Sequence, residues 1–162
     1  MKRPLPFRDY PGGGRKLIGA RRGANCRHEY GREFMHKTGQ HRCAYCGIDL
    51  TASYENWLTM TLDHVVPVSV GKALEIPKEW LEDYSNAVLA CAACNTFANH
   101  YRPDRSVSAP QSFLAFFALR DRIFAERHKL IAEVRREERR YFDSRPWEGP
   151  RARQPSSSGS DV

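Results

Sequence analysis

The sequence predicts an α+β fold: a small unit of two short strands and a helix held by four cysteines, followed by a long C-terminal helix. Three observations predict it. Two CxxC pairs, Cys43-Ala-Tyr-Cys46 and Cys91-Ala-Ala-Cys94, lie with 44 residues between them. Trp57–Leu62 alternates apolar and threonine residues, a strand signature, and Ala87–Ala90 is a second short apolar run. Across 111–142, Phe113, Phe117, Phe124, Ile131 and Val134 keep near-helical spacing, with Arg and Glu at the other positions.

Taken in order, residues 1–25 are rich in Pro, Gly and Arg and read as a basic flexible arm. Its Pro11-Gly-Gly-Gly14 lacks the spacing of a phosphate loop and follows no apolar strand. A single domain is expected over 26–145, beginning with a short helix around Glu29–Lys37 that Gly39 breaks. Cys43–Gly47 reads as a tight metal knuckle. The first strand runs directly into Asp63-His64-Val-Val-Pro67. The stretch 69–85, with Gly71 and Pro77, reads as an inserted loop holding a short helix over Lys78–Asp83. After the second strand a helix begins near Cys91–Cys94 and continues to about Tyr101, before Pro103. Ser108 with Gln111 offers the long helix a capping box, with Pro110 in its first turn. Its stripe is a packing face, against the strands or against a second chain, so a dimer is one outcome. Residues 146–162 turn to Pro, Ser, Gly and Arg and are expected to be disordered.

Charge is uneven along the chain. Residues 1–42 carry 11 Lys+Arg against 3 Asp+Glu, a net +8; residues 43–110 carry 4 against 8, a net −4; residues 111–162 carry 11 against 8, a net +3. Basic ends around an acidic centre suit a polyanionic partner, because cations at phosphates release counterions; basic ends also serve solubility alone. No run of about 18 apolar residues is present, so no membrane partner is expected. The basic N-terminus has no apolar core of a secretory signal, which makes the cytoplasm the expected address.

Five cysteines in such a setting argue against a disulfide framework. Four of them supply the thiolates, in number and softness, that tetrahedral Zn²⁺ takes. A redox pair or an iron–sulfur cluster is the alternative. Cys43, Cys46, Cys91 and Cys94 would fill every position on the ion, so such a site is structural. Cys26 is left over as an ordinary thiol.

Between and beside these pairs lie Asp63-His64, Asn86, and Asn95 immediately after the last cysteine. The run LDHVVP…SNAVLACAACN resembles the HNH endonucleases, over about residues 40–102. The resemblance implies a ββα-metal (His-Me finger) unit and a metal-dependent hydrolase acting on phosphodiester bonds, most naturally those of double-stranded DNA. It makes His64 the general base, which suits an imidazole neutral near pH 7. It assigns the aiming of that ring to an oxygen of Asn86. It makes Asp63 and Asn95 oxygen ligands of Mg²⁺ or another divalent cation. The nine-residue separation of Asn86 and Asn95 is that of the HNH domain of RNA-guided nucleases. Two departures stand out: the last motif residue is Asn95, an H-N-N variant, and Ala98 stands where many relatives have lysine. Phosphate contact then falls to Arg102 or the basic arm, with Asn99 one helical turn from Asn95 as a further contact or a surface amide. Read one at a time, Asp63-His64 is a strand end, and Asn86 and Asn95 are turn or cap residues. The competing readings are a zinc-stabilised nucleic-acid-binding module without catalysis and a zinc-framed protein-interaction domain.

Overall fold

The computed structural model describes residue 27, residues 30–104 and residues 107–148. The basic arm 1–25, Cys26 and most of the expected tail lie outside the described residues. Helix α1 spans Tyr30–Thr38 and stops at Gly39, as its sequence suggests. The chain then makes the knuckle, bracketed by an antiparallel bridge between Arg42 and Asp49. Cys43 N–H donates to Ile48 O at 2.9 Å and Gly47 N–H to Cys43 O at 2.9 Å. Gly47 takes φ +74°, a left-handed conformation that a side chain would oppose.

Strand β1, Met60–His64, pairs antiparallel with β2, Ala87–Cys91, in the register Met60↔Cys91 through His64↔Ala87. The strand expected over Trp57–Leu62 therefore begins later. Trp57 and Leu58 close helix α2, Tyr54–Leu58, because Ser53 caps it by accepting from Asn56 N–H. Every residue of β2 is buried, which explains its unbroken apolar run; the knuckle also pairs with it, Ala44 N–H donating to Leu89 O at 2.8 Å.

The connection between the strands holds the short helix expected from Lys78, but also a helix ahead of it where the sequence suggested loop. Helices α3, Val68–Ala73, and α4, Lys78–Leu81, fill it, followed by a 3₁₀ turn at Tyr84–Asn86. Pro67 and Pro77 stand at the N-caps of these helices with φ −57° and −52°, so they start helices here instead of breaking them. Gly71 lets the two meet: a Cβ there would lie 2.3 Å from Leu81 Cδ2.

Helix α5, Ala92–Phe97, ends short of the expected Tyr101. Tyr101 is pulled aside instead, its hydroxyl donating to Glu126. Helix α6 runs from Phe113 to Asp143. Its cap is Ser112, which accepts from Ala115 N–H at 3.1 Å, and not the expected Ser108–Gln111 box; Pro110 lies outside the helix. The buried face is Phe116, Arg120, Ile123, Phe124, Arg127 and Ile131. Of the expected stripe, Phe124 and Ile131 are buried, Phe113 and Phe117 pack at its edge beside Trp80 and Phe116, and Val134 is half-exposed. Two arginines on the face set its true phase, and a search for apolar positions alone misses them. The face packs on the ββα unit, where burial of Phe116, Ile123 and Ile131 contributes about 1.5–3 kcal/mol each. Among the described residues no helix is long and apolar enough to cross a membrane.

Gly71→Ala is expected to cost about 1–3 kcal/mol in urea unfolding through overpacking on Leu81. Gly71→Ala combined with Leu81→Ala should cost less than the two single changes added. Strict additivity would show that the two helices do not meet there.

Candidate metal centre and strand-end site

The ligand atoms of Cys43, Cys46, Cys91 and Cys94 all lie within 4.8 Å of one another. Cys46 Sγ and Cys91 Sγ are 3.9 Å apart, close to the edge of about 3.8 Å for a tetrahedron with zinc–sulfur bonds of about 2.3 Å. The four thiols are free. Two come from the knuckle, one closes β2 and one sits in the first turn of α5. Crowding shifts them apart. Hydrogen bonds from Cys46, Cys91 and Cys94 hold the Cys43 thiol far below its ordinary range, while sharing with Cys43 and Cys46 pushes Cys91 and Cys94 up. Four sulfurs in one half-desolvated pocket cannot all ionise without a cation, and a divalent ion answers that demand. Arg135 Nη1 adds positive charge 3.6 Å from Cys94 Sγ. The four cysteines are thus positioned to form a zinc site.

At the other end of the hairpin, Asp63 is buried and both of its oxygens are engaged. Tyr45 Oη donates to Oδ2 at 2.6 Å, and Arg127 Nη2 lies 2.9 Å from Oδ2 and 3.2 Å from Oδ1. Arg127 Nη1 reaches His64 O at 2.8 Å and Val65 O at 3.0 Å. One buried guanidinium of α6 thereby ties down the carboxylate and the two carbonyls that follow it. Burial, then the Asp63 charge, raises the Tyr45 phenol well above its ordinary value, so its hydroxyl stays a donor. Tyr45 also stacks on Phe124, with ring centroids 5.4 Å apart. Sequence reasoning did not single out Tyr45 or assign Arg127 a role. The legible signal for Arg127 was a charge three residues after Phe124 and four before Ile131, in the middle of a packing stripe.

His64 ends β1 half-buried. Burial lowers its imidazole below 6.5, against the opposing pull of the Asp63 and Glu82 carboxylates, so the ring is neutral at pH 7. Among the described residues no hydrogen bond joins that ring to Asp63, Asn86 or Asn95. The expected contact from an Asn86 oxygen to the ring is not made. Asn86 O accepts Val65 N–H at 2.7 Å and Asn86 Oδ1 accepts Val66 N–H at 2.9 Å. Its amide donates to Leu81 O at 2.9 Å and Val66 O at 3.2 Å. Antiparallel pairing puts this fully buried asparagine opposite the backbone after His64, and it fixes that backbone instead of the ring.

Asn95, in α5, is half-buried and donates to Thr61 Oγ1 at 3.3 Å. Thr61 and Asp63 are alternate residues of β1 and share a face, so Asn95 and Asp63 approach the same side of the strand. As donors to a hard cation, both offer oxygen. The fit is good at Asn95, whose Oδ1 is not bonded among the described residues, and contested at Asp63, where the guanidinium already stands. Asn99 and Arg102 are exposed beyond α5, and among the described residues Arg102 Nη1 donates to its neighbour's carbonyl, Tyr101 O, at 2.8 Å.

Residues 43–100 match the family model for HNH endonuclease. No curated protein and no solved structure matches the chain. The match spans the knuckle, the strand pair, α5 and all four cysteines, and it supports a nuclease-type or nucleic-acid-related function.

Two outcomes are expected from this geometry. Metal analysis should find about one equivalent of zinc per chain, lost in Cys94→Ser; full retention in that variant would contradict four-cysteine ligation. Arg127→Ala should cost about 3–5 kcal/mol, because it strands a buried carboxylate. Urea unfolding reads this directly, and a loss no larger than that of the exposed Arg136→Ala would contradict it.

Proposed function

With residues 43–100 matching the HNH endonucleases, we propose that the protein is a metal-dependent endonuclease hydrolysing phosphodiester bonds of DNA. The observation that carries this is Asp63-His64 at the end of β1, across from a cysteine-clamped β2–α5 corner that presents Asn95 on the face shared by Thr61 and Asp63. His64, neutral at pH 7, takes the proton of the attacking water. Asn86 holds the backbone beyond His64 through Val65 and Val66. Asn95, through its amide oxygen, and Asp63, through its carboxylate, would hold Mg²⁺ or a similar divalent ion. That ion, when bound, supplies the positive charge that stabilises the phosphate and the leaving oxygen. Zinc on Cys43, Cys46, Cys91 and Cys94 would have no open position and would serve only to fix β2 against α5. Asn99 and Arg102, both exposed, are the proposed substrate contacts nearest α5, and double-stranded DNA is the proposed substrate.

One observation favours a second reading, a zinc-stabilised nucleic-acid-binding module without catalysis. The Asp63 carboxylate is already held by Arg127 and Tyr45, and a site permanently filled in this way would hold no second cation. A plasmid-nicking assay with Mg²⁺ and Mn²⁺ separates the two. Wild type is expected to convert supercoiled DNA to the open circle, and His64→Ala to lose about 10²- to 10⁴-fold of that rate. Retardation of DNA on a gel without cutting under either ion favours the binding module; equal cutting by His64→Ala removes His64 from the mechanism.

A further inference from the structure

We propose that the C-terminal turns of α6 form a docking surface for the DNA backbone, centred on Arg136 and Arg140 beside the cysteine knuckle. The inference rests on the reading that the substrate is DNA. From Arg135 onward every described residue of α6 is exposed, so the helix leaves the core it has been packing against. Arg135, Arg136, Arg139 and Arg140 line one side of a recess closed opposite by Tyr45 and Cys46. At 3.6 residues per turn these four arginines occupy an arc of about 140°. Glu133, Glu137 and Glu138 fall outside it. Of the four acids between Glu133 and Asp143, three are thus kept off the arginine arc, and the fourth, Asp143, lies within it and is taken up by Arg139. A face built throughout for i,i+4 pairing would give Arg136 and Arg140 acids at that spacing too, but four residues after Arg136 stands Arg140 and four after Arg140 stands Ser144.

The four arginines differ in what they have left to offer. Arg135 is turned to Cys94 Sγ and Arg139 is paired with Asp143 at 3.0 Å. Arg136 and Arg140 form no ion pair among the described residues, so their guanidinium groups stay available for phosphate oxygens, which they match with a planar fork. The exposed rings of Tyr141, Phe142 and Trp147 stand at the same end of the helix.

Position along α6 links this surface to the strand end. Arg127 marks the level of Asp63 and His64. Arg136 lies nine residues further and Arg140 thirteen, which is about 14 and 20 Å at 1.5 Å per residue. On a duplex with about 3.4 Å of axis per base pair, the arginines meet the backbone within about six base pairs of His64. Contacts of this kind carry no base information: they give affinity and register, whatever the sequence.

The test is the salt dependence of DNA binding by the full chain, measured by fluorescence anisotropy on a short duplex without divalent ions. Arg136→Gln with Arg140→Gln is expected to lower the slope of log K against log salt by about two and to weaken binding about 10- to 100-fold near 0.1 M salt. Glu137→Gln with Glu138→Gln, on the other side of the helix, is expected to leave the slope unchanged. An unchanged slope in the arginine variant overturns the proposal, as does arginine-dependent binding that favours an RNA duplex over DNA. A wild type that binds with the full slope yet never cuts sinks the nuclease reading while supporting this surface. A wild type that cuts, with the arginine variant unchanged in slope, sinks this surface alone.

Discussion

Four sulfurs within 4.8 Å of one another join segments too short to hold themselves. A five-residue pair of strands and a six-residue helix would be marginal alone, since a two-stranded hairpin rarely stands in water and a helix of this length does not nucleate unaided. The cysteines bind the knuckle, the end of β2 and the start of α5 to one point. Asn95 follows Cys94 directly, so its position on the Thr61–Asp63 face is a consequence of where the sulfurs meet.

The opposite end of the hairpin is held by a different device. Arg127 brings a charge into the core and spends its two Nη groups on Asp63, His64 O and Val65 O. Such a pair is a poor source of net stability against apolar residues of like size, but it is costly to break from one side. Its effect is to fix where the chain turns after β1. Asn86 does the same from the opposite direction. The backbone around His64 is therefore pinned on both sides while the ring itself is left unbonded among the described residues, as the proposed general base requires.

The parts legible in the sequence are those in which one residue type has one dominant use. Paired cysteines at x₂ spacing gave the metal cluster, and the order of Asp63-His64 and Asn95 within that frame carried the resemblance to the HNH endonucleases. The unbroken run of β2 and the long periodicity of α6 were also readable. What stayed hidden depends on choices between near-equal local options. Trp57 and Leu58 fit an alternating strand as well as the Ser53-capped turn they join, and Pro67 and Pro77 can end a helix or begin one. Arg120 and Arg127 escaped because a charge in a packing stripe is visible only once its buried acceptors, Ser85 O and Asp63, are known. The role of Asn86 changed for the same reason: its partners are backbone atoms that no motif records.

The proposed nuclease requires one divalent ion, distinct from zinc, between α5 and β1. Mn²⁺ titrated into the zinc-loaded protein, with plasmid nicking followed at each concentration, measures the ion's affinity in wild type and in Asn95→Ala. A half-saturating Mn²⁺ concentration at least about tenfold higher is expected in Asn95→Ala, with the zinc content unchanged, in line with the loss that follows when a metal site is disturbed. An unchanged half-saturation point in that variant would contradict the proposed ion site.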